Sequence, residues 1–278
     1  MTVHYAEVIG DPIAQSKSPV IHRFWLRELG IEGDYRARRV TAASLSSHLR
    51  LAFADHAWLG CNVTIPFKQT IMPLLDRLQT SAETVGAVNV VYRERGSLIG
   101  LNSDVAGVQA AIGRTARGQT VCLIGAGGAA RAALAVLKAQ EVAGLRILAR
   151  NRDKVGALID DLAMPAAVLE FESAEVACEG AALVINASPL GMHGQPAMPP
   201  TLMRALDATL PDATVFDMVY DPLDTALLAA ARRRGRKAVD GLVMLVGQAR
   251  LAFRQFYGVE PPNDPDSNAR LRALLTSQ

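Results

Sequence analysis

Glycines 125, 127 and 128, together with Lys68 and Asp104, are the residues whose types and placement could do chemistry in this chain. The glycines fall in Gly125-Ala126-Gly127-Gly128-Ala129, between the apolar run Thr120–Ile124 and the helix formers of Ala129–Ala139. An apolar strand that passes through a tight glycine turn into a helix can cradle a pyrophosphate. Gly125 permits the turn, Gly127 lets backbone N–H groups approach the phosphates, and Ala130 is small enough for helix and strand to pack closely. The helix N-terminus adds unpaired N–H groups and the positive end of its dipole. Hydride transfer from a dinucleotide held there also needs a side chain that moves a proton to or from the reacting oxygen. The Tyr-x-x-x-Lys arrangement of short-chain dehydrogenases is absent, since none of the five tyrosines is followed four positions later by lysine. Lysines are scarce. Lys68 ends Asn62-Val-Thr-Ile-Pro-Phe-Lys68, where a proline fixes the backbone just beyond a buried strand, and Asp104 ends Asn102-Ser-Asp104. Taken singly, Lys68 is a solvated loop lysine and Asp104 the N-cap of a helix from Val105. Spacing alone does not establish that the two share a cleft.

A glycine turn by itself is weak, because loops of other α/β proteins look the same. The context is stronger. Leu145–Ala149 reads as a second strand after the helix, which completes a βαβ unit of about 30 residues. At the tip of that strand, about 20 residues past the turn, an acidic side chain would bind the ribose 2′-hydroxyl of NAD. Here stand Arg150, Asn151, Arg152 and, after Asp153, Lys154. Arginine grips a 2′-phosphate bidentately where a carboxylate would repel it, so the cofactor expected is NADP. The bland alternative is a solvated basic loop.

Composition bounds the rest. With 278 residues, 50% hydrophobic and 20% charged, the chain is expected to be soluble and globular, with room for two modest domains. A net charge of +2 leaves no long-range field for nucleic acid or a membrane. The cluster Arg232-Arg-Arg234 with Arg236 and Lys237 reads as a solvated helix end, where cations complement the dipole. No signal peptide is read at the N-terminus, and Arg131 with the glycine turn interrupts the apolar stretch 120–139 well short of a membrane span of about 18 residues. Cys61, Cys122 and Cys178 lie far apart, which fits a reducing cytoplasm. The five histidines show no metal-ligand spacing, so no metal is expected, and His193 reads as an exposed loop residue.

Beyond the glycine turn, strands at Ala167–Phe171, Ala182–Ala187, Thr214–Val219 and Lys237–Asp240 alternate with helices at Asp153–Leu162, Ser173–Glu179, Leu202–Leu206 and Asp224–Arg234. Alternation of this kind predicts a parallel sheet covered on both faces. Loops at the carboxyl ends of its strands, Asn186–Met192 and Asp217–Tyr220, should border the nicotinamide. Before residue 100 lies another α/β pattern. Ala6–Ile9 is a strand, Ser18 an N-cap followed by Pro19, and the helix stops at Gly30. Tyr35–Val40 and Cys61–Ile65 are further strands, and Val88–Tyr92 pairs with Leu98–Leu101 across an Arg-Gly turn. The chain from Leu242 reads as an amphipathic helix that returns to the first domain. The expected organisation is therefore a substrate-binding domain, 1–103, completed by 242–278, and a dinucleotide-binding domain, 104–241.

Six segments carry a resemblance. Gly10-Asp-Pro-Ile-Ala-Gln-Ser-Lys-Ser-Pro19, Asn62–Lys68, Gly86-Ala-Val-Asn89, Asn102-Ser-Asp104, the glycine turn and Asp240-Gly-Leu-Val-Met-Leu-Val-Gly-Gln248 together resemble the shikimate dehydrogenases, in order and over nearly the whole chain. The resemblance implies reversible NADPH-linked reduction of 3-dehydroshikimate to shikimate, in the pathway to aromatic amino acids. It also implies two α/β domains, one for substrate and one a Rossmann domain for NADP, with the active site in the cleft between them. Carried over by position, Lys68 and Asp104 match the family's catalytic pair, and Ser16 and Ser18 the hydroxyls that bind the substrate carboxylate. Thr64, Asn89 and Gln248 match groups that bind ring hydroxyls, and Tyr220 lines the pocket. Gly125, Ala126, Gly127, Gly128 and Ala129 match the pyrophosphate loop, Arg150 and Lys154 the 2′-phosphate clamp, and Met218 and Gly241 the nicotinamide end.

The chain departs from the family pattern in three places. Ala149 stands where asparagine usually precedes the arginine, Ser103 replaces threonine, and Val105 stands where glycine commonly follows the aspartate. The alternatives that remain are a quinate/shikimate dehydrogenase of looser choice and a non-catalytic dinucleotide-binding sensor. The expected state is a cytoplasmic monomer or homodimer.

Overall fold

The computed structural model describes residues 3–277, apart from the side chain of Lys154. They form two compact units, residues 3–103 with 248–277, and residues 104–247. In the first unit the elements are β1 (His4–Gly10), α1 (Ser18–Glu28), β2 (Gly33–Arg39), α2 (Leu45–Ala54), β3 (Trp58–Val63), β4 (Arg77–Leu78), α3 (Thr80–Val85), β5 (Val90–Glu94) and β6 (Ser97–Leu101). The sheet runs β2-β1-β3-β5-β6-β4. Its β2, β1 and β3 are parallel, whereas β5 is antiparallel to both neighbours.

Alternation along these strands builds two apolar layers. Ala6 and Val8 turn to one face with Tyr35, Val90, Tyr92 and Phe256, while Ile9, Trp58, Cys61 and Val63 join Leu45, Leu49 and Ala52 on the other. Each fully buried large side chain contributes roughly 1.5–3 kcal/mol. Glu7 is also buried, and a buried carboxylate needs partners. It accepts from Trp58 Nε1 at 3.0 Å and Arg38 Nε at 3.0 Å, and His48 Nε2 lies 2.9 Å away. The β5–β6 hairpin pairs Val90 with Leu101 and Tyr92 with Ile99. Its turn residues Arg95 and Gly96 both have positive φ, 49° and 80°, which suits the right-handed twist of the strands.

The second unit contains α4 (Asp104–Ile112), β7 (Thr120–Ile124), α5 (Gly128–Ala139), β8 (Gly144–Leu148), α6 (Arg152–Leu162), β9 (Ala167–Leu169), α7 (Ala174–Cys178), β10 (Leu183–Asn186), α8 (Pro200–Ala205), β11 (Thr214–Asp217), α9 (Ala226–Arg233) and β12 (Lys237–Val239). All its strands are parallel, in the order β12-β11-β10-β7-β8-β9. From β7 the chain steps outward to β8 and β9, then returns to lay β10, β11 and β12 on the other side. That reversal opens a crevice beyond the carboxyl ends of β7 and β10. One apolar layer carries α4, α5 and α6 side chains and the other α7, α8 and α9, so both faces are covered. The expected parallel sheet is therefore present, with strand ends one or two residues shorter than read.

The C-terminal stretch forms two helices, α10 (Gly241–Tyr257) and α11 (Pro265–Thr276). Gly258, at φ 72°, and the Pro261-Pro262 pair end the first, and Asp264 caps the second by accepting from Ser267 N at 2.9 Å. Residues 241–247 of α10 belong to the second unit and 248–257 to the first. No helix among the described residues is long and apolar enough to cross a membrane.

Candidate active site

In the first unit, residues after β1 and β3 gather the expected substrate groups. Ser16 Oγ accepts from Ser18 N at 3.3 Å, which puts both hydroxyls on one turn. The helix α1 takes Lys17 as its N-cap without a side-chain bond, so Ser18 is not the cap that its sequence suggests. Pro19 already presets the first turn, and Ser18 is buried. Thr64 N donates to Ile9 O at 3.0 Å and docks the loop after β3 onto the end of β1. Farther along that loop, Lys68 O accepts from Val88 N at 2.7 Å. The half-buried Lys68 is thereby tied to the segment that enters Asn89.

Asn89 is 3% exposed and held from several sides. Its carbonyl accepts from Val63 N at 2.8 Å and Asn62 Nδ2 at 3.3 Å. Its Oδ1 accepts from Ser103 N at 2.7 Å. The single hydroxyl hydrogen of Ser103 lies between Asn89 Oδ1, at 3.3 Å, and Gln248 Oε1, at 3.1 Å. Both carboxamide oxygens thus face Ser103. The replacement of threonine by serine at 103 keeps the hydroxyl that this arrangement uses.

In the second unit, Asp104 begins α4, one residue earlier than expected, with its side chain buried. Gly125 has φ 101°, and a Cβ there would lie 3.0 Å from Ser188 N and Cβ. Glycine is required on both counts. At Gly127 and Gly128 an added Cβ would meet nothing within 4 Å. Open space therefore stands over the N-terminus of α5, whose cap, Gly127, supplies no side chain. Ala126 and Ala129 border that space, half-buried, and Ala130 is fully buried beneath it. This cradle fits a pyrophosphate.

Arg150, at the end of β8, is exposed and makes no ion pair with a described residue. Arg152 differs: its Nη2 donates to Val168 O at 3.3 Å and its Nη1 lies 3.6 Å from Glu170. The Lys154 side chain lies outside the described residues. Gly241 stands where a Cβ would be 2.4 Å from Met218 O and 2.7 Å from Val219 O, so these two expected nicotinamide-end residues touch through backbone. Tyr220 is half-buried, and burial followed by the nearby Asp221 raises its phenol above the usual range. His193 is exposed, with its N–H on Asp221 O at 2.8 Å. Among the described residues no three His, Cys, Asp or Glu side chains group as metal ligands.

Several supporting residues do not stand out in the sequence. Tyr35 and Asn62 in the first unit, and the Asn186, Asp217 and Thr225 side chains in the second, are fully or nearly fully buried polar groups. For Asn62, Asn186 and Asp217 the available signal is a polar residue at or near the end of an otherwise apolar strand. The cations Arg232 and Arg234 are less free than a solvated helix end implies, since they pair with Asp224 and Asp207.

Comparison with known proteins adds relatives. Residues 8–91 match the family described as shikimate dehydrogenase substrate binding domain. The chain is 45% identical to the NADP(+) shikimate dehydrogenase of Sphingopyxis alaskensis, over 98% of its own length and 97% of the relative's. Among solved structures, a chorismate mutase/shikimate 5-dehydrogenase fusion protein from Clostridium acetobutylicum superposes with a TM-score of 0.89 at 25% identity, covering 100% of this chain and 98% of that one. The shikimate 5-dehydrogenase of Thermus thermophilus, solved with NADP(H) and shikimate, gives a TM-score of 0.82 at 30% identity, over 98% and 100% of the two chains.

Proposed function

This chain belongs to the shikimate dehydrogenase family, and from that premise we propose that Lys68 and Asp104 are the residues that handle the proton in its reaction. It is an NADP-dependent oxidoreductase that interconverts 3-dehydroshikimate and shikimate. When bound, NADP(H) supplies the hydride chemistry. Lys68 donates a proton to the C3 oxygen in the reducing direction and takes it back in the other, and Asp104 orients the same hydroxyl. Ser16 and Ser18 bind the carboxylate. Thr64, Asn89 and Gln248 grip the ring hydroxyls, and Tyr220 lines the pocket. A small polyol acid calls for such neutral donors and acceptors of fixed geometry.

The observation that carries this assignment is the bond from Val88 N to Lys68 O at 2.7 Å. It fixes the loop that bears the ammonium beside the strand entry that bears Asn89. On the cofactor side, Gly125 to Ala129 cradle the pyrophosphate, Arg150 and Lys154 clamp the 2′-phosphate, and Met218 and Gly241 border the nicotinamide. Residues 1–103 with 242–278 serve the substrate, and 104–241 the cofactor. The enzyme works in the cytoplasm as a monomer or homodimer.

One assay tests this: NADP and NAD reduction followed with shikimate and with quinate side by side. Turnover of shikimate with NADP should exceed the other three combinations well. Preference for quinate or NAD would assign the looser quinate/shikimate activity, and absence of any turnover would leave a dinucleotide-binding sensor.

A further inference from the structure

Beneath the groups assigned to substrate lies a buried polar relay. Tyr35 on β2 is fully buried, and its hydroxyl donates to Asn62 Oδ1 on β3 at 2.6 Å. The strand β1 runs between them, with Ala6 opposite Tyr35 and Val8 opposite Asn62. Both are small enough for the phenol to pass over the sheet. From the other side the His22 ring of α1 stacks on the phenol, with centroids 4.0 Å apart and planes 14° from parallel. Neither His22 nitrogen has a hydrogen-bond partner among the described residues. The imidazole therefore acts as an apolar plate that holds the tyrosine ring in place.

The phenol has a single hydrogen, and it is given to Asn62 Oδ1. That decides which end of the Asn62 carboxamide is the carbonyl and turns Nδ2 to Asn89 O, at 3.3 Å. Tyr35 thus stands behind the carboxamide of Asn62, which in turn holds the backbone of Asn89, a residue assigned to the substrate ring.

We propose that Tyr35 is a positioning residue for substrate, which acts through Asn62 to hold Asn89 in place. The proposal rests on the assignment of Asn89 to substrate made above. Groups that bind substrate and transition state equally change KM rather than kcat. Loss of the Tyr35 hydroxyl should therefore weaken substrate affinity with turnover little altered.

The test compares wild type, Tyr35→Phe, Asn62→Asp, Asn89→Ala and the Tyr35→Phe/Asn89→Ala double variant. Shikimate KM, NADP KM, kcat and thermal midpoint are measured for each. For Tyr35→Phe, shikimate KM should rise about tenfold, as expected for one buried hydrogen bond, with NADP KM and kcat within about twofold. Asn62→Asp keeps an acceptor for Tyr35 but removes the donor to Asn89 O, so it should give the same split. The Tyr35→Phe effect should shrink in the Asn89→Ala background. A merely structural tyrosine would lower the thermal midpoint and leave shikimate KM unchanged, and that result overturns the proposal. If Tyr35→Phe does not fold, unchanged shikimate KM in Asn62→Asp overturns it. Unchanged shikimate KM in Asn89→Ala instead rejects the substrate assignment itself.

Discussion

Asn186 Nδ2 donates to Asp217 Oδ1 at 2.9 Å, joining the carboxyl ends of β10 and β11 inside the second unit. Around this bond every contact serves a loop. Asn186 Oδ1 accepts from Ser188 N and Oγ, at 3.0 and 2.6 Å, and its Nδ2 also reaches Leu190 O at 3.2 Å. Asp217 accepts from Val219 N at 3.0 Å and Thr225 Oγ1 at 2.7 Å, and Thr225 caps α9. Asp217→Ala strands three buried donors and should cost about 2–4 kcal/mol in urea unfolding. Asp217→Asn keeps an acceptor and should cost less than half of that. Equal losses would mean that the carboxyl acts by volume alone.

The pH dependence of that site has a defined sign. Burial raises the Asp217 carboxyl above its usual value against the pull of its three hydrogen bonds. A carboxyl whose folded pKa exceeds the unfolded one contributes stability at pH below the unfolded value and loses it as pH rises through the folded one. Asp217→Asn carries no such term. Its stability relative to wild type should improve as pH rises through the carboxylate range, and a constant difference across that range would refute the assignment.

Lys68→Ala should lower kcat by roughly 10²- to 10⁴-fold, the usual worth of a positioned proton donor. Shikimate affinity, read by calorimetry rather than turnover, should stay within a few-fold. Undiminished kcat would remove Lys68 from the chemistry.

Arg150 is exposed and makes no ion pair with a described residue, as a side chain held ready for an anion would be. Arg150→Ala should raise KM for NADPH about tenfold, the worth of one charge-assisted contact, and leave KM for NADH unaltered. Equal losses with both nucleotides would count against a 2′-phosphate clamp.

His22 makes the first unit acid-sensitive. Burial lowers its pKa from 6.5 to about 3, whereas the unfolded chain has an ordinary imidazole. The stability that it contributes is complete above the unfolded value and is lost as pH falls towards the folded one. Within that window the slope is up to ~1.4 kcal/mol per pH unit. Urea unfolding at stepped pH should show a shallower acid limb in His22→Phe than in wild type. Parallel limbs would exclude His22 as the cause.

Much of this is legible along the chain because it depends on local order. The run Thr120–Ile124, the glycines and Ala129–Ala139 place strand, turn and helix within a residue of the observed β7 and α5. Backbone sterics and apolar periodicity act over a few residues, so local sequence decides them. The Arg95-Gly96 hairpin is legible for the same reason. Ser18 misleads because a serine before proline suits a cap locally, whereas α1 takes Lys17 as its cap and Ser18 is buried. The amphipathic helix read from Leu242 ends at Gly258, where φ is positive, just before the Pro261-Pro262 pair.

The sequence by itself determined most of the elements, the parallel character of the second sheet, and the residue types available to bind an acid, a polyol and a phosphate. What only the tertiary structure decided is which polar groups support others: Tyr35 with Asn62, Ser103 between Asn89 and Gln248, Asn186 with Asp217. Those partners lie 14 to 145 positions apart. No periodicity spans such distances. The pairings exist because burial removes water and leaves each donor only the acceptors that the fold brings to it.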